Sequence, residues 1–319
     1  MYIVDSHCDS IQQVDQRRHG IVNPYNFSSR YQQLQFVALF CSWPGDTPVD
    51  CFKRAVRYLG QFTLAMAAEA DRIVQIRTPA DIDAAFASGR HAALLTIEGG
   101  TGILGSEKIL RDFFLAGVRV FGLAWLTNDL AKSNRLAEDE ADTGLTDRGR
   151  AILAEGNRLG MIFDVSHLSD NSFWDVMTLS AKPPVATHSN FRALCSHSRN
   201  LTDEMARAII ARRGMIGLNL CPEFVHAEPA ERTVENLFRH FDHCLALGGE
   251  DCIGFGCDID GTSGKYPAPL DETCSIHDRL IEFMLRHNYA ESLVEKTAGG
   301  NWLRYLRENL PQNLPKTSC

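Results

Sequence analysis

Residues 2–9 read Tyr2-Ile-Val-Asp-Ser-His-Cys-Asp9, a short apolar, β-branched run that ends in two metal-ligating side-chain types, His7 and Asp9. The same pattern recurs along the chain. Ala93-Leu-Leu-Thr-Ile97 runs into Glu98, Met161-Ile-Phe-Asp-Val165 runs towards His167, and Pro184-Val-Ala-Thr187 runs into His188. Each run has strand composition and gives way to Gly, Ser or Asn. Imidazole and carboxylate together suit zinc or a similar borderline divalent ion. Ligands delivered at the ends of separate strands predict a parallel barrel that holds its chemistry at the C-terminal face. On an extended segment His7 and Asp9 point the same way, and Cys8 between them points to the opposite, packed face.

Other apolar runs extend the pattern to eight predicted strands, near residues 2–6, 35–42, 92–97, 118–124, 161–166, 184–188, 215–220 and 252–257. Helical periodicity fills most intervals, over 56–70, 110–115, 149–158, 202–213 and 234–247, with Thr202 as an N-cap. Strand–helix alternation with eight strands indicates a closed (β/α)8, TIM-like barrel. Helical pattern resumes over 276–287 and 290–309 and is expected to cover the barrel, before a frayed tail at about 311–319. No repeat, linker or low-complexity tract divides the 319 residues, so one domain is expected. The polar, charged stretch from Asn128 to Asp147 reads as a long loop on the ligand face. It either shapes a substrate pocket or is simply a solvated acidic loop.

Composition narrows the function classes. A net charge of −8 argues against nucleic acid or an anionic membrane as a partner. There is no apolar run long enough to span a membrane and no signal-peptide pattern after Met1, so a cytoplasmic location is expected. The ten cysteines include no Cys-x-x-Cys pair and are expected as free thiols.

His7, Asp9, Glu98, His167 and His188 are five ligands, about the number two metal ions need when they share one carboxylate and a bridging hydroxide. With Glu98 central, His7 and Asp9 would serve one ion, and His167 and His188 the other. A lone histidine is more often a hydrogen-bonded core or surface residue. Packing, however, gives no reason for this joint placement at strand ends. The eighth predicted strand ends in Gly254-Phe-Gly-Cys-Asp-Ile-Asp-Gly261, which offers Asp258 as an acid/base at the barrel mouth and Asp260 as a turn residue.

With these residues in place, the sequence resembles the membrane (renal-type) dipeptidases, a zinc metallopeptidase family with soluble bacterial members. The likeness runs through Asp5-Ser-His-Cys-Asp9, Ile97-Glu-Gly-Gly100, Gly117-Val-Arg119, Gly144-Leu-Thr-Asp-Arg-Gly149, Asp164-Val-Ser-His167, Thr187-His-Ser189, Ser198-Arg-Asn200, the Gly254–Gly261 segment and Gly299-Gly-Asn-Trp-Leu303. The resemblance implies a barrel with two zinc ions, one held by His7, Asp9 and Glu98 and the other by Glu98, His167 and His188. It further implies Asp258 as the acid/base, Arg199 as the residue that binds the substrate's terminal carboxylate, and cleavage of dipeptides, often with a D-residue at the C-terminal position. A planar guanidinium suits that bidentate task. By the same analogy a homodimer is expected.

One departure stands out. Where the family commonly has a histidine that donates to the polarised carbonyl oxygen, an ungapped alignment from Gly117 places Trp125. Its indole N–H is a donor that never carries charge. Asn128, in Leu126-Thr-Asn128, is a second donor near that position. Trp125 is alternatively a packed rim aromatic with no part in the chemistry. The departure keeps a second substrate class open, N-acyl amino acids or related amides cleaved on the same metal centre.

Overall fold

The computed structural model describes residues 1–16, 18–262 and 264–312, so most of the expected C-terminal tail lies outside the described residues. Nine parallel strands run in chain order: β1 (Ile3–Cys8), β2 (Gln33–Phe40), β3 (Ile73–Gln75), β4 (His91–Glu98), β5 (Val118–Gly122), β6 (Ile162–Asp164), β7 (Val185–Ala186), β8 (Met215–Leu218) and β9 (Ile253–Phe255). Strand β1 pairs with β2 on one side and β9 on the other, and β2 pairs with β4, which closes the ring through β5 to β9. The closed ring is the expected eight-stranded (β/α)8 barrel. Strand β3 stands outside it, pairing with β4 from Ile73↔His91 to Gln75↔Ala93, along the edge that β5 occupies from Leu95 onward.

Sequence periodicity missed β3 and the helix Pro79–Ala87 that follows. A three-residue strand is too short for the two-residue period to register. The helix does carry a readable start, since Thr78 and Asp81 form a capping box around Pro79. The same signal stands at Thr47-Pro48-x-Asp50, where the first long helix begins (Pro48–Ala68), eight residues before the expected residue 56. The expected helix over 290–309 is divided into Glu291–Glu295, a π turn at Lys296–Gly300 and Asn301–Asn309. That turn brings Gly299 against β1 so closely that a Cβ there would lie 2.6 Å from the Tyr2 carbonyl oxygen.

Two apolar layers follow from strand alternation. Val4, Phe36, Leu94, Val120, Ile162, Val185 and Met215 point into the ring and form one cluster with Trp302, Tyr305 and Leu306. Helix Asn301–Asn309 thereby closes the N-terminal end of the barrel, with Trp302 edge-on to Phe36 at 5.2 Å between ring centroids. The opposite faces, including Val37, Leu39, Leu95, Phe121 and Phe163, pack outward against helix residues such as Phe62, Phe114 and Phe241. Cys8 belongs to this outer layer, away from the ligands. The nine described cysteines form no disulfide among the described residues. No helix among the described residues is long and apolar enough to cross a membrane.

Candidate metal centre

Every station anticipated at a strand end lies at the C-terminal mouth. His7 is the penultimate residue of β1 and Glu98 the last of β4; His167, His188 and Asp258 follow β6, β7 and β9 within three residues. Asp5 faces outward to His277 on helix Ile276–Arg286. A register shift between Asp5 and Cys8 turns the chain, so that His7 faces the mouth instead of following Asp5 outward. Asp5 then braces the turn: its Oδ1 accepts from the backbone N–H groups of His7 at 3.2 Å and Cys257 at 2.8 Å.

Glu98 is the hub. Its Oε2 lies 3.3 Å from His7 Nε2, and its Oε1 lies 2.7 Å from His167 Nε2 and 3.6 Å from His188 Nε2. His7 Nε2 is 3.8 Å from Asp9 Oδ2. Glu98 therefore belongs to two ligand triads, with His7 and Asp9 on one side and His167 and His188 on the other, each with its donor atoms within 4.8 Å of one another. All five residues are buried. His188 is oriented by a relay: Thr187 Oγ1 donates to Asp164 and so accepts from His188 Nδ1 at 2.8 Å, which leaves Nε2 as the lone-pair nitrogen facing Glu98.

The electrostatics explain what this constellation is suited to hold. Burial and the neighbouring Glu98 charge push the Asp9 carboxyl well above the usual carboxylate range. Burial likewise lifts Asp258 to about 6; the Glu98 charge adds to the shift, while His7 opposes it. Glu98 behaves the other way. Burial opposes its ionisation, yet the three histidines around it hold it well below its ordinary value. Burial and Arg199 depress His167 to about 3, and burial with His7 depresses His188, so both rings present neutral, lone-pair nitrogens. Burial works against protonating His7, but the carboxylates of Glu98, Asp9 and Asp258 raise it to about 10. Despite this crowding, His7 Nε2 and His167 Nδ1 have no hydrogen-bond partner. Three carboxylates and three imidazoles packed this tightly, with an orphaned ring nitrogen among them, form a donor set that divalent cations fit.

The centre opens into a cavity of about 800 Å³. Asp258 lines it, with φ at +58°, a left-handed conformation costly for a non-glycine residue and often kept at functional sites. Asn219 Nδ2 donates to Asp258 Oδ2 at 3.2 Å and also to the His188 carbonyl at the same distance. Arg199 is buried and reaches the carbonyl oxygens of Ser166 and His188, the latter at 3.1 Å, while its Nε has no partner. Trp125 also lines the cavity, its ring centroid 6.0 Å from that of His167.

Asn128 does not join them. Its Oδ1 accepts from the Leu130 and Ala131 amides at 2.7 and 3.1 Å, and its Nδ2 donates to the Leu123 carbonyl, so the side chain braces its own loop rather than facing substrate. Asp260 is a turn residue as expected, at φ +67°, but its carboxylate also binds Ser10 and Tyr25 at 2.8 and 2.9 Å on the cavity wall. The loop from Asn128 is tied to the exit of β6 through Asn134 and the His167 carbonyl at 2.9 Å, and it brings Arg135 to the cavity. Asn219 and Arg135 were not singled out in the sequence. Asn219 follows β8 directly, the same strand-end signal that marked the ligands, but an amide is not a metal ligand type. Arg135 sits in a loop, where no periodicity marks it.

A barrel of this topology thus carries at its mouth a buried cluster of two ligand triads that share Glu98. The chain belongs to the membrane dipeptidase family (peptidase family M19), whose sequence model matches residues 1–318. It is thus a metallo-dipeptidase, a peptide-bond hydrolase. A protein encoded in the pqqA 5′ region of Klebsiella pneumoniae is 33% identical over 273 residues, covering 83% of this chain and 98% of the relative. The dipeptidase tcpJ of Claviceps purpurea is 33% identical over 238 residues, covering 75% of this chain but only 56% of that protein. Among solved structures, the metallopeptidase dipeptidase AC of family M19 superposes with a TM-score of 0.85 at 28% identity, covering 97% of this chain and 99% of that one. A metallopeptidase from Rhodobacter sphaeroides, bound to a phosphinate mimic of L-Ala-D-Ala, superposes at 0.84 with 26% identity, covering 98% and 99%.

Proposed function

We propose that this enzyme cleaves dipeptides with two divalent ions, zinc by donor type, one held by His7, Asp9 and Glu98 and the other by Glu98, His167 and His188. The observation that carries the reading is the position of Glu98, whose two oxygens face separate histidine groups. When bound, such a pair of ions supplies Lewis acidity, lowering the pKa of water and polarising the scissile carbonyl.

The chain's own residues do the remaining work. Arg199, buried and rigidly placed with an unpartnered Nε–H, takes the substrate's C-terminal carboxylate. This fixes the scissile bond over the centre. Asp258 accepts the proton of the attacking water and returns it to the departing amine. Burial raises this carboxyl above the usual carboxylate range, the direction that suits a group that both takes and returns a proton. Asn219 holds that carboxylate towards the centre. The Trp125 indole N–H, at the rim beside His167, is the neutral donor available to the carbonyl oxygen. The phosphinate mimic of L-Ala-D-Ala in the Rhodobacter sphaeroides relative supports acceptance of a D-residue at the C-terminal position.

The test is hydrolysis of a panel of L-L and L-D dipeptides by zinc-loaded protein, beside a chelated control and a set of N-acyl amino acids. Chelator-sensitive cleavage of dipeptides is expected. Cleavage of the acyl compounds alone would replace the reading with an amidase.

A further inference from the structure

Among the described residues, one cation of the loop after β5 lacks the carboxylate partner that its neighbours have. Lys132, Arg148 and Arg150, in or next to the loop that follows β5, face Glu140, Asp129 and Asp175 at 2.6, 2.8 and 2.9 Å. Arg135, in the same loop, makes no ion pair among the described residues. Its guanidinium instead lies 4.0 Å from the centre of the Trp125 ring, on the cavity wall. Trp125 in turn is packed edge-on against Phe40, at 4.9 Å between centroids, with Trp43 behind at 6.5 Å. An exposed arginine is ordinarily a loosely placed, solvated charge. This one has a flat platform, and stacking leaves its in-plane N–H donors free to meet a ligand.

Arg135 also shares a wall with Arg199. Both line the cavity, and they flank the same pair of rings: Arg135 lies over Trp125, whose ring centre is 6.0 Å from that of His167, and Arg199 Nη2 lies 3.4 Å from His167 Nε2. The two differ in depth. Arg199 is buried beside His167 and His188, whereas Arg135 is exposed at the mouth. A dipeptide with a neutral C-terminal side chain has one carboxylate, and Arg199 takes it on the reading above. A second guanidinium on the same wall, nearer the solvent, matches a second carboxylate on the same residue, extending from its α-carbon towards the mouth.

We propose that Arg135, stacked on Trp125, binds the side-chain carboxylate of an acidic C-terminal residue and makes dipeptides ending in aspartate or glutamate the favoured substrates. The assignment rests on Arg199 as the site of the terminal carboxylate. The subsite is one of recognition; it takes no part in bond cleavage.

The test compares two ligands of equal shape and different charge, phosphinate analogues of Ala-Glu and Ala-Gln, titrated calorimetrically into the metal-loaded enzyme. The glutamate analogue is expected to bind about tenfold more tightly, and added salt should narrow the gap. Arg135→Gln should bring the two affinities together, and Arg135→Lys should retain part of the difference. Equal affinities in the wild type, or a preference that survives in R135Q, would overturn the assignment. The outcomes separate the two readings. Equal affinities alongside intact dipeptide hydrolysis remove only the subsite. An R135-dependent preference with no dipeptide cleaved removes only the dipeptidase reading. Binding of neither analogue removes both.

Discussion

At the N-terminal end of the ring the inward side chains are Val4, Phe36, Val120, Ile162 and Val185, sealed by Trp302 and Tyr305. At the other end, His7, Asp9, Glu98, His167, His188 and Asp258 occupy equally buried or nearly buried positions with charge and lone pairs. The same strands serve both ends, and β1 passes from Val4 to His7 across a register shift. The first end is self-sufficient, because its side chains gain by leaving water and need no partner. The second is not, since each buried ionisable group costs several kcal/mol that its neighbours offset only in part. The raised carboxyls of Asp9 and Asp258 and the unpartnered His7 Nε2 record that imbalance. The mouth is a site whose residues are completed from outside the chain, and the base is a plug completed within it.

The contrast can be broken most severely at Glu98. Glu98→Gln removes the charge that both triads share, and is expected to lower dipeptide turnover by on the order of 10³-fold or more and to reduce bound metal, read by elemental analysis. Retention of full metal content would show that the shared carboxylate is not the hub. Next is Asp258→Asn, with an expected loss of about 10²–10⁴ in kcat and bound metal preserved. The pH profile sharpens this. Burial raises the Asp258 carboxyl and bound cations would lower it again, so activity falls as the pH drops through its pKa, at or below about 6, and D258N should lose that limb. An unchanged acid limb in the variant would assign it to another group.

At the base, Trp302→Ala should cost about 3–5 kcal/mol of stability, measured by denaturant unfolding, while the folded fraction keeps its metal. A matching loss of metal would mean that the two ends are coupled. The smallest expected effect is in the relay behind His188. Thr187→Val leaves the imidazole without its acceptor and should weaken metal affinity by about 10–100-fold, measured by competition with a chromophoric chelator.

How legible each end was follows from the same physics. The ligands could be read because a period-two apolar run that stops at a histidine or carboxylate is visible in sequence, as at Ile97 before Glu98 and Val165 before His167. Asp258 was visible for the same reason. Asn219 carried the same positional signal after β8 but not the chemistry that draws attention, and its role appears only once its amide is seen on Asp258. Asn128 had the chemistry without the placement, because its donors and acceptors satisfy its own loop. Arg135 reaches the cavity through a loop path that no local pattern encodes. In the fold, β3 is not legible because three residues carry no period, whereas the Thr-Pro-x-Asp helix starts at Thr47 and Thr78 are written in the sequence as capping boxes, a signal that apolar periodicity does not read.

The central claim is that the mouth is a two-cation site completed from outside the chain. Its most direct test is a calorimetric zinc titration of chelator-treated protein, with the melting temperature followed in parallel. The account predicts two ions bound per chain, protons released on binding, and a melting temperature that rises with occupancy. Binding of fewer than two ions, or two ions bound with no change in melting temperature, would contradict it.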